Sequence, residues 1–482
     1  MSEVELPPQP GLMESMRAVG YTIETAIADL VDNSVTANAG NVEIFFTSDQ
    51  PDHLAIVDDG DGMTEAGILN AMQLASTNAT AEREQNDLGR FGLGLKTASL
   101  SQCRSLTVVS KRRGKVSAYT WDLDRLAKTK RWTVIKHSAD EIESLPNVSE
   151  LTSKKHGTMI LWQKLDILID TLGSDPASLD DAAIRTKNHL ALVFHRYIDG
   201  EDGRNLAIFF NGRQIPRIDP FLKTNRRTQH GRVEKISIDG VSVRVQSYTL
   251  PFVNKLTKKD RELAGLHTGS LRDSQGFYIY RGLRLVVWGT WFRLAPKSEM
   301  GRLARVQVDV PNSLDHLWAL DIKKSTATPP PAIRSQLKRL VQRTLEPSER
   351  AHKYRGRKTN DTKLVPVWSL YEDRDEFRYE INREHPLVQT SIRGGSAADM
   401  ELLLELVEST FPIQDAFNRL ASDQIHQQAS SEEDSLVTLA KDAWKAFKQI
   451  GKSTEEFARI FAFVEPFSML SDPENFLLKA VR

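Results

Sequence analysis

An aspartate and an asparagine four residues apart, Asp29 and Asn33, fall in a stretch of helical periodicity. At that spacing the two side chains share a helix face. A carboxylate one turn from an amide oxygen suits metal-assisted hydrolysis. The amide can ligate Mg²⁺, which takes few protein ligands and keeps water and phosphate oxygens. The carboxylate can orient and deprotonate an attacking water. A second carboxylate, Asp58, ends the apolar run Leu54-Ala-Ile-Val57 and opens Asp58-Asp-Gly60-Asp-Gly62-Met63. A strand-end carboxylate in a partly buried pocket can accept a hydrogen bond from an adenine amino group. Glycines at 60 and 62 permit close backbone approach. The third group is a loop with three glycines: Gly89, Arg90, Phe91, Gly92, Leu93, Gly94, Leu95, Lys96 and Thr97. Its amides can form an inward-facing nest for phosphate, ahead of a helix start at about Leu95. Read together, in this order and within about seventy residues, the three describe a nucleotide pocket with Asn33 on the metal.

Taken singly, each has a plainer reading. Asp29 and Asn33 also describe a solvated polar helix face, and the Asp58 motif a tight acidic turn. The glycine loop lacks the Gly-Lys-Ser/Thr of a Walker A sequence, and no short strand feeds it as in a dinucleotide-binding fingerprint. Gly157-Thr158 sits in a strand, where the Thr158 hydroxyl is placed to support Asp58 through a water.

The elements that must position these groups are legible as patterns. Tyr21 to Ala39 reads as a helix, with Ala26, Ile27, Leu30, Val31 and Val35 at helical spacing. Residues 42–46 and 54–57 read as strands, and Thr64 to Ser76 as a helix capped by Thr64. The polar stretch 77–88 reads as a loop. A hairpin is expected around Arg113-Gly114, a strand at His156–Trp162, and a helix at Asp180–Tyr197. Farther on, Asn211-Gly212, Asp239-Gly240 and Arg281-Gly282 mark hairpin turns between strands. A strand is expected at Ala304–Val310, and Pro329-Pro-Pro331 precedes a basic helix, Ala332–Leu345. The remainder reads as helical, with amphipathic segments at 400–411, 436–450 and 455–463. The fold class expected is α+β. The domains are 1–200 for nucleotide binding, 201–345 rich in strands, and 346–482 mainly helical.

In this order the motifs resemble the GHKL superfamily of gyrase-type topoisomerases, ninety-kilodalton heat-shock chaperones, histidine kinases, MutL and the microrchidia (MORC) ATPases. The resemblance covers about residues 15–165 and implies an α/β sandwich binding ATP and Mg²⁺. It implies metal ligation by Asn33, adenine recognition by Asp58, a lid over Gly89–Gly94, and a fourth motif at Thr158. Residues 201–345 resemble the transducer domain of the gyrase, MutL and MORC branch, which implies a lysine reaching the γ-phosphate, here Lys323 or Lys324. Ala28-Asp-Leu-Val-Asp-Asn-Ser34 and Gly92-Leu-Gly-Leu-Lys-Thr97 are most similar to prokaryotic MORC-like proteins. Several of those are encoded in restriction or anti-phage gene clusters. One departure bears on catalysis. The family's general base is usually glutamate, whereas Asp29 is one methylene shorter, and a misplacement of about 1 Å can cost on the order of 100-fold. Glu24, five residues before Asp29, lies on another helix face.

Composition narrows the setting. The chain has 482 residues, is 27% charged and carries formal net charge zero, so any nucleic-acid surface must be local. No apolar run reaches the roughly 18 residues that span a bilayer. The N-terminus lacks the pattern of a secretory signal. Cys103 is the single cysteine, so an internal disulfide framework is excluded. A cytoplasmic location is expected. The resemblance implies a homodimer on ATP binding, with double-stranded DNA as client and a nuclease or helicase subunit as a further partner. Basic clusters occur at Arg112–Lys115, at Lys223–Lys235, and at Arg334–Lys358, where nine Lys/Arg face two Glu. The alternatives are a non-hydrolysing ATP sensor and a chaperone-like clamp on protein. The tail is too short for the chaperone's later segments. A histidine kinase would need a helical hairpin ahead of the pocket, and Asp423-Gln-Ile-His426 is too isolated for a nuclease site.

Overall fold

The computed structural model describes residues 11–18, 20–49, 51–73, 94–173, 175–238, 240–252, 255–265, 271–298, 301–314, 331–353, 365–373, 376–394, 397–410, 433–448, 453–470 and 472–481. The chain divides into two compact units, Met1–Ala351 and His352–Arg482.

The first unit contains two sheets. After a short helix α1 (Gly11–Arg17), Thr22 caps α2 (Ile23–Thr36) in a reciprocal box with Thr25. Strands β1 (Asn41–Phe46) and β2 (His53–Asp58) follow. Thr64 then caps α3 (Glu65–Met72), and α4 runs Gly94–Leu100. The hairpin expected around Arg113-Gly114 is β3 (Ser105–Arg112) with β4 (Lys115–Asp122). Strands β5 (Ile135–Lys136), β6 (Gly157–Gln163), β7 (Ala207–Phe210) and β8 (Arg213–Gln214) complete a sheet of order β5-β4-β3-β6-β2-β1-β7-β8.

Period-two alternation gives this sheet two apolar faces. Leu54, Ile56, Ile160 and Trp162 point into the large core beneath α2, α4 and the helix Pro176–Val193. Ala55, Val57, Met159 and Leu161 point the other way, where Ile142, Val148 and Leu151 from two short helices cover them. Strand β7 was expected to open the second domain. Instead it pairs in parallel with β1, Asn41 opposite Ala207 through Ile44 opposite Phe210. The first sheet therefore extends beyond residue 200. The helix expected to run to Tyr197 is interrupted at Phe194, which ends one helix and precedes the short helix His195–Ile198.

The second sheet comprises β9 (Gln229–Ile238), β10 (Val241–Thr249), β11 (Gly276–Arg281), β12 (Arg284–Thr290) and β13 (Ala304–Val310). Its order is β12-β11-β13-β10-β9, with β11 and β13 parallel. One face carries Val243, Val245, Phe277, Ile279, Val306 and Val308 against Leu337, Leu340 and Val341 of the helix Pro331–Lys353. The other carries Tyr248, Tyr278, Tyr280 and Leu285 with Phe221.

The second unit is mostly helical, as expected, around a core that includes Ala440, Phe457, Phe461, Phe467 and Leu477. It also holds a hairpin, β14 (Trp368–Asp373) with β15 (Glu376–Ile381), which the sequence pattern did not suggest. No described helix is long and apolar enough to cross a membrane.

Candidate functional site

Asp58 ends β2 and is 7% exposed. Its Oδ1 accepts hydrogen bonds from the Gly60 and Thr158 amides, both at 3.0 Å. Its Oδ2 accepts one from the Ser34 hydroxyl at 2.9 Å. Burial pushes this carboxyl above its usual range, and the three donors offset only part of that rise. A carboxylate offers about four lone-pair directions, so three fixed donors leave one on Oδ2. The neighbouring aspartates of the motif do other work. Asp59 accepts from the Gly40 and Asn41 amides, each at 2.8 Å, and Asp61 from Asn38 at 3.0 Å. Of the three, only Asp58 is buried.

The motif glycines are needed for contacts within the protein. A Cβ at Gly60 would lie 2.7 Å from the Ala37 oxygen. At Gly62, with φ +64°, it would lie 2.2 Å from the Lys111 oxygen, and at Gly157, with φ +148°, 2.1 Å from the Asp58 oxygen. Backbone thus occupies the space a side chain would take, a constraint added to the expected passage of the chain beneath a base. Thr158 meets Asp58 through its amide, while its hydroxyl lies 3.0 Å from Ser110 Oγ. Ser110 joins the motifs: it accepts from the Met63 amide at 2.7 Å and donates to the Gly157 carbonyl at 2.9 Å.

Asp29 and Asn33 do share a face of α2, yet their surroundings differ. Asn33 is exposed, whereas Asp29 is 4% exposed. The Tyr21 hydroxyl donates to Asp29 Oδ2 at 2.9 Å. Arg284 Nη2, from β12, stands 3.9 Å from Oδ1. Asp32, one turn along, is 1% exposed, with both oxygens 2.8 Å from Arg284 Nε. The polar side of α2 is therefore an electrostatic contact with the second sheet. Glu24 is engaged elsewhere, 3.1 Å from Arg185.

Gly94 starts α4 beside this group; a Cβ there would lie 3.8 Å from Asp29 Oδ2. Leu95 is half-buried against the large core and Thr97 is buried. Lys96 turns inward: it is 1% exposed, and Nζ donates to the Ala71 and Gln73 carbonyls at 3.0 and 2.6 Å. It holds the orphan carbonyls at the end of α3. Burial pulls its ammonium down to about 8. Gly89, Arg90, Phe91, Gly92 and Leu93 lie outside the described residues, as do Lys323 and Lys324.

The residues present suit ATP and Mg²⁺. An amide acceptor, Asn33, is accessible one turn from a carboxylate, and Asp58 holds an acceptor direction in a dry wall. No cluster of three or more His, Cys, Asp or Glu able to hold a metal occurs among the described residues. Mg²⁺ bound mainly through phosphates and water needs none. Sequence reasoning missed Tyr21, Asp32, Ser110 and Arg284. Asp32 and Ser34 adjoin Asn33 within a motif; Tyr21, Ser110 and Arg284 carry no local signal.

The basic helix, expected at Ala332–Leu345, runs Pro331–Lys353. Arg334, Lys338, Arg339 and Arg343 are exposed, opposite buried Leu337, Leu340 and Val341. Arg343 pairs with Glu234 at 2.9 Å. The Lys353 side chain and residues 354–358 lie outside the described set. A second basic surface joins two segments distant in sequence. Arg227 donates to the Lys255 carbonyl at 2.9 Å, bringing Arg226 and Arg227 beside exposed Lys255, Lys258 and Lys259.

Residues 21–158 match the family described as histidine kinase-, DNA gyrase B-, and HSP90-like ATPase. This segment is a GHKL ATPase domain. It is an ATP-binding domain by family, and its α+β architecture agrees. The ATPase morc-1 of Caenorhabditis elegans is 33% identical over 95 residues, 20% of this chain and 11% of that protein. Among solved structures, the N-terminal domain of a DNA repair protein aligns with TM-score 0.44 and 17% identity, covering 71% of this chain and 99% of that one.

Proposed function

We propose that the chain binds ATP with Mg²⁺, hydrolyses it slowly, and uses the nucleotide to bring two copies together as a clamp on double-stranded DNA. The observation that carries the nucleotide reading is Asp58, whose three fixed donors leave an acceptor direction for the adenine amino group. Asn33 would hold the metal, whose chemistry is to neutralise phosphate charge. Asp29 would orient the attacking water. The lid expected at 77–94, with Lys323 or Lys324, would close over the phosphates and create the contact surface between copies. The three-part organisation expected at 1–200, 201–345 and 346–482 is kept, with the first boundary moved past β8. DNA contact is supported by the exposed basic row Arg334, Lys338, Arg339 and Arg343. A nuclease or helicase subunit, in a restriction or anti-phage setting, belongs to the same reading through the resemblance.

A specific observation favours a second reading. Asp29 is short and already contacted by Tyr21 and Arg284, which suits an ATP sensor that barely turns over. Light scattering with and without a non-hydrolysable analogue and duplex DNA tests the clamp. A protein that stays monomeric at tens of micromolar with saturating analogue, or is an equally tight dimer without it, contradicts nucleotide gating. Turnover no faster than buffer selects the sensor.

A further inference from the structure

Two carboxylates three residues apart on one helix, Asp29 and Asp32, are 4% and 1% exposed. Buried charges of one sign need a partner. Arg284 supplies it from the second sheet, where it is the first residue of β12 and 4% exposed. Nε lies 2.8 Å from both Asp32 oxygens, and Nη1 donates to the Leu285 carbonyl at 3.0 Å. The guanidinium stands 5.8 Å from the ring centre of Phe194. Nη2 then lies 3.9 Å from Asp29 Oδ1, an ion-pair distance. The other oxygen, Oδ2, accepts from Tyr21 at 2.9 Å. One oxygen of Asp29 is thus held by a residue preceding α2, and the other faces a charge carried by a different sheet.

We propose that Arg284 is a positioning residue for Asp29, so that the orientation of this carboxylate depends on how the second sheet is seated against α2. The contact with Asp32 fixes the guanidinium, and the guanidinium in turn fixes which way Asp29 Oδ1 faces. A shift of the β11–β12 hairpin moves the charge at Asp29 without touching Asp58, so attack on the phosphate is affected while adenine recognition is not. Binding at α2 is felt in the reverse direction at the hairpin, since coupling between sites is reciprocal. This inference rests on the nucleotide reading of the site.

The test uses the full chain with two changes. Arg284→Lys keeps a charge but loses the planar fork. Arg284→Met with Asp32→Asn removes the closer pair together, so Asp32 is not left without its cation, while Asp29 keeps the Tyr21 hydroxyl. Calorimetry with a non-hydrolysable ATP analogue should give affinities within about threefold of wild type in both. Turnover should fall about tenfold in both, with KM little changed. Amide hydrogen exchange across 281–290 should slow on analogue binding in wild type and fail to slow in the double variant, while exchange in α2 slows in both. A double variant that keeps wild-type turnover, or keeps the analogue-dependent slowing at 281–290, overturns the proposal. So does a wild type that binds analogue with no change at 281–290. If wild type binds but does not hydrolyse, the exchange measurement decides. If wild type binds no nucleotide, the functional reading itself has failed, and the calorimetry shows it.

Discussion

Replacing Asp58 with Asn changes one atom of the nucleotide pocket, and the structure dictates where that atom goes. Two amides, from Gly60 and Thr158, converge on Oδ1 at 3.0 Å. An NH₂ group placed there would oppose two donors, so the asparagine must keep its oxygen at that position. Its Nδ2 then replaces Oδ2, where it can donate to Ser34 Oγ, a hydroxyl that also accepts. The fold is therefore expected to survive, relieved of a buried charge. The nucleotide is not spared, because Nδ2 now points a donor at the adenine amino group. A hydrogen bond to a charged acceptor contributes about 1.5–3 kcal/mol, so its loss alone weakens ATP binding by roughly ten- to a hundredfold. Opposed donors add to that. Guanine carries an oxygen where adenine carries the amino group, so the same change should improve GTP binding relative to ATP. Calorimetry with non-hydrolysable analogues of both nucleotides reads the two effects, and thermal unfolding checks the fold. Unchanged ATP affinity in a folded Asp58→Asn protein refutes the assignment and moves the base elsewhere.

Three further outcomes are expected. Asp29→Ala should bind analogue with affinity close to wild type but lose turnover, measured as phosphate release; normal turnover would mean that another group activates the water. Replacing Arg334, Lys338, Arg339 and Arg343 together with Ala should weaken duplex DNA binding equally for all sequences. If all four touch phosphates, the salt slope should flatten by about 3.6, read by anisotropy titration across salt concentrations. Burial, with the Arg284 charge, pulls the His189 imidazole down to about 4, against an ordinary value near 6.5. The unfolded chain then binds the extra proton between those pH values, so stability is full above about 6.5 and falls as pH drops. The loss between pH 7 and 5 should be roughly 2 kcal/mol, and His189→Gln should remove that part of the slope in denaturant titrations.

The parts of this fold legible in sequence are those set by local pattern. Thr64 marks a helix start by capping, and the apolar spacing of α2 fixes its core side, although its start falls at the Thr22 cap rather than at Tyr21. Arg113-Gly114 marks a hairpin through two residues of positive φ. Strand β7 was equally legible as a strand, but its partner was not. The sheet it joins is decided by parallel pairing with β1, some 160 residues away. The candidate site divides the same way. Asp29, Asn33 and Asp58 announce themselves by type and spacing. Arg284 is one of many arginines until the fold brings it to Asp32, 252 residues distant. Lys96 carries a contact that its place beside glycines did not suggest: its ammonium serves the carbonyls at the end of α3. The lid and the transducer lysine remain expectations from motif and resemblance.

The parallel pairing of β7 with β1 bears on how the first domain can be produced alone. A fragment cut at residue 200, where sequence pattern places the boundary, would lack β7 and β8. Strand β1 would then present unpaired amides and carbonyls along Asn41–Ile44, beside the apolar side chains of Val42 and Ile44. An open edge of this kind recruits other chains. Among the described strands β8 closes this edge of the sheet, two residues long with both exposed, and so a poor template. A soluble fragment should therefore end beyond Gln214, and a shorter one should aggregate in proportion to its concentration.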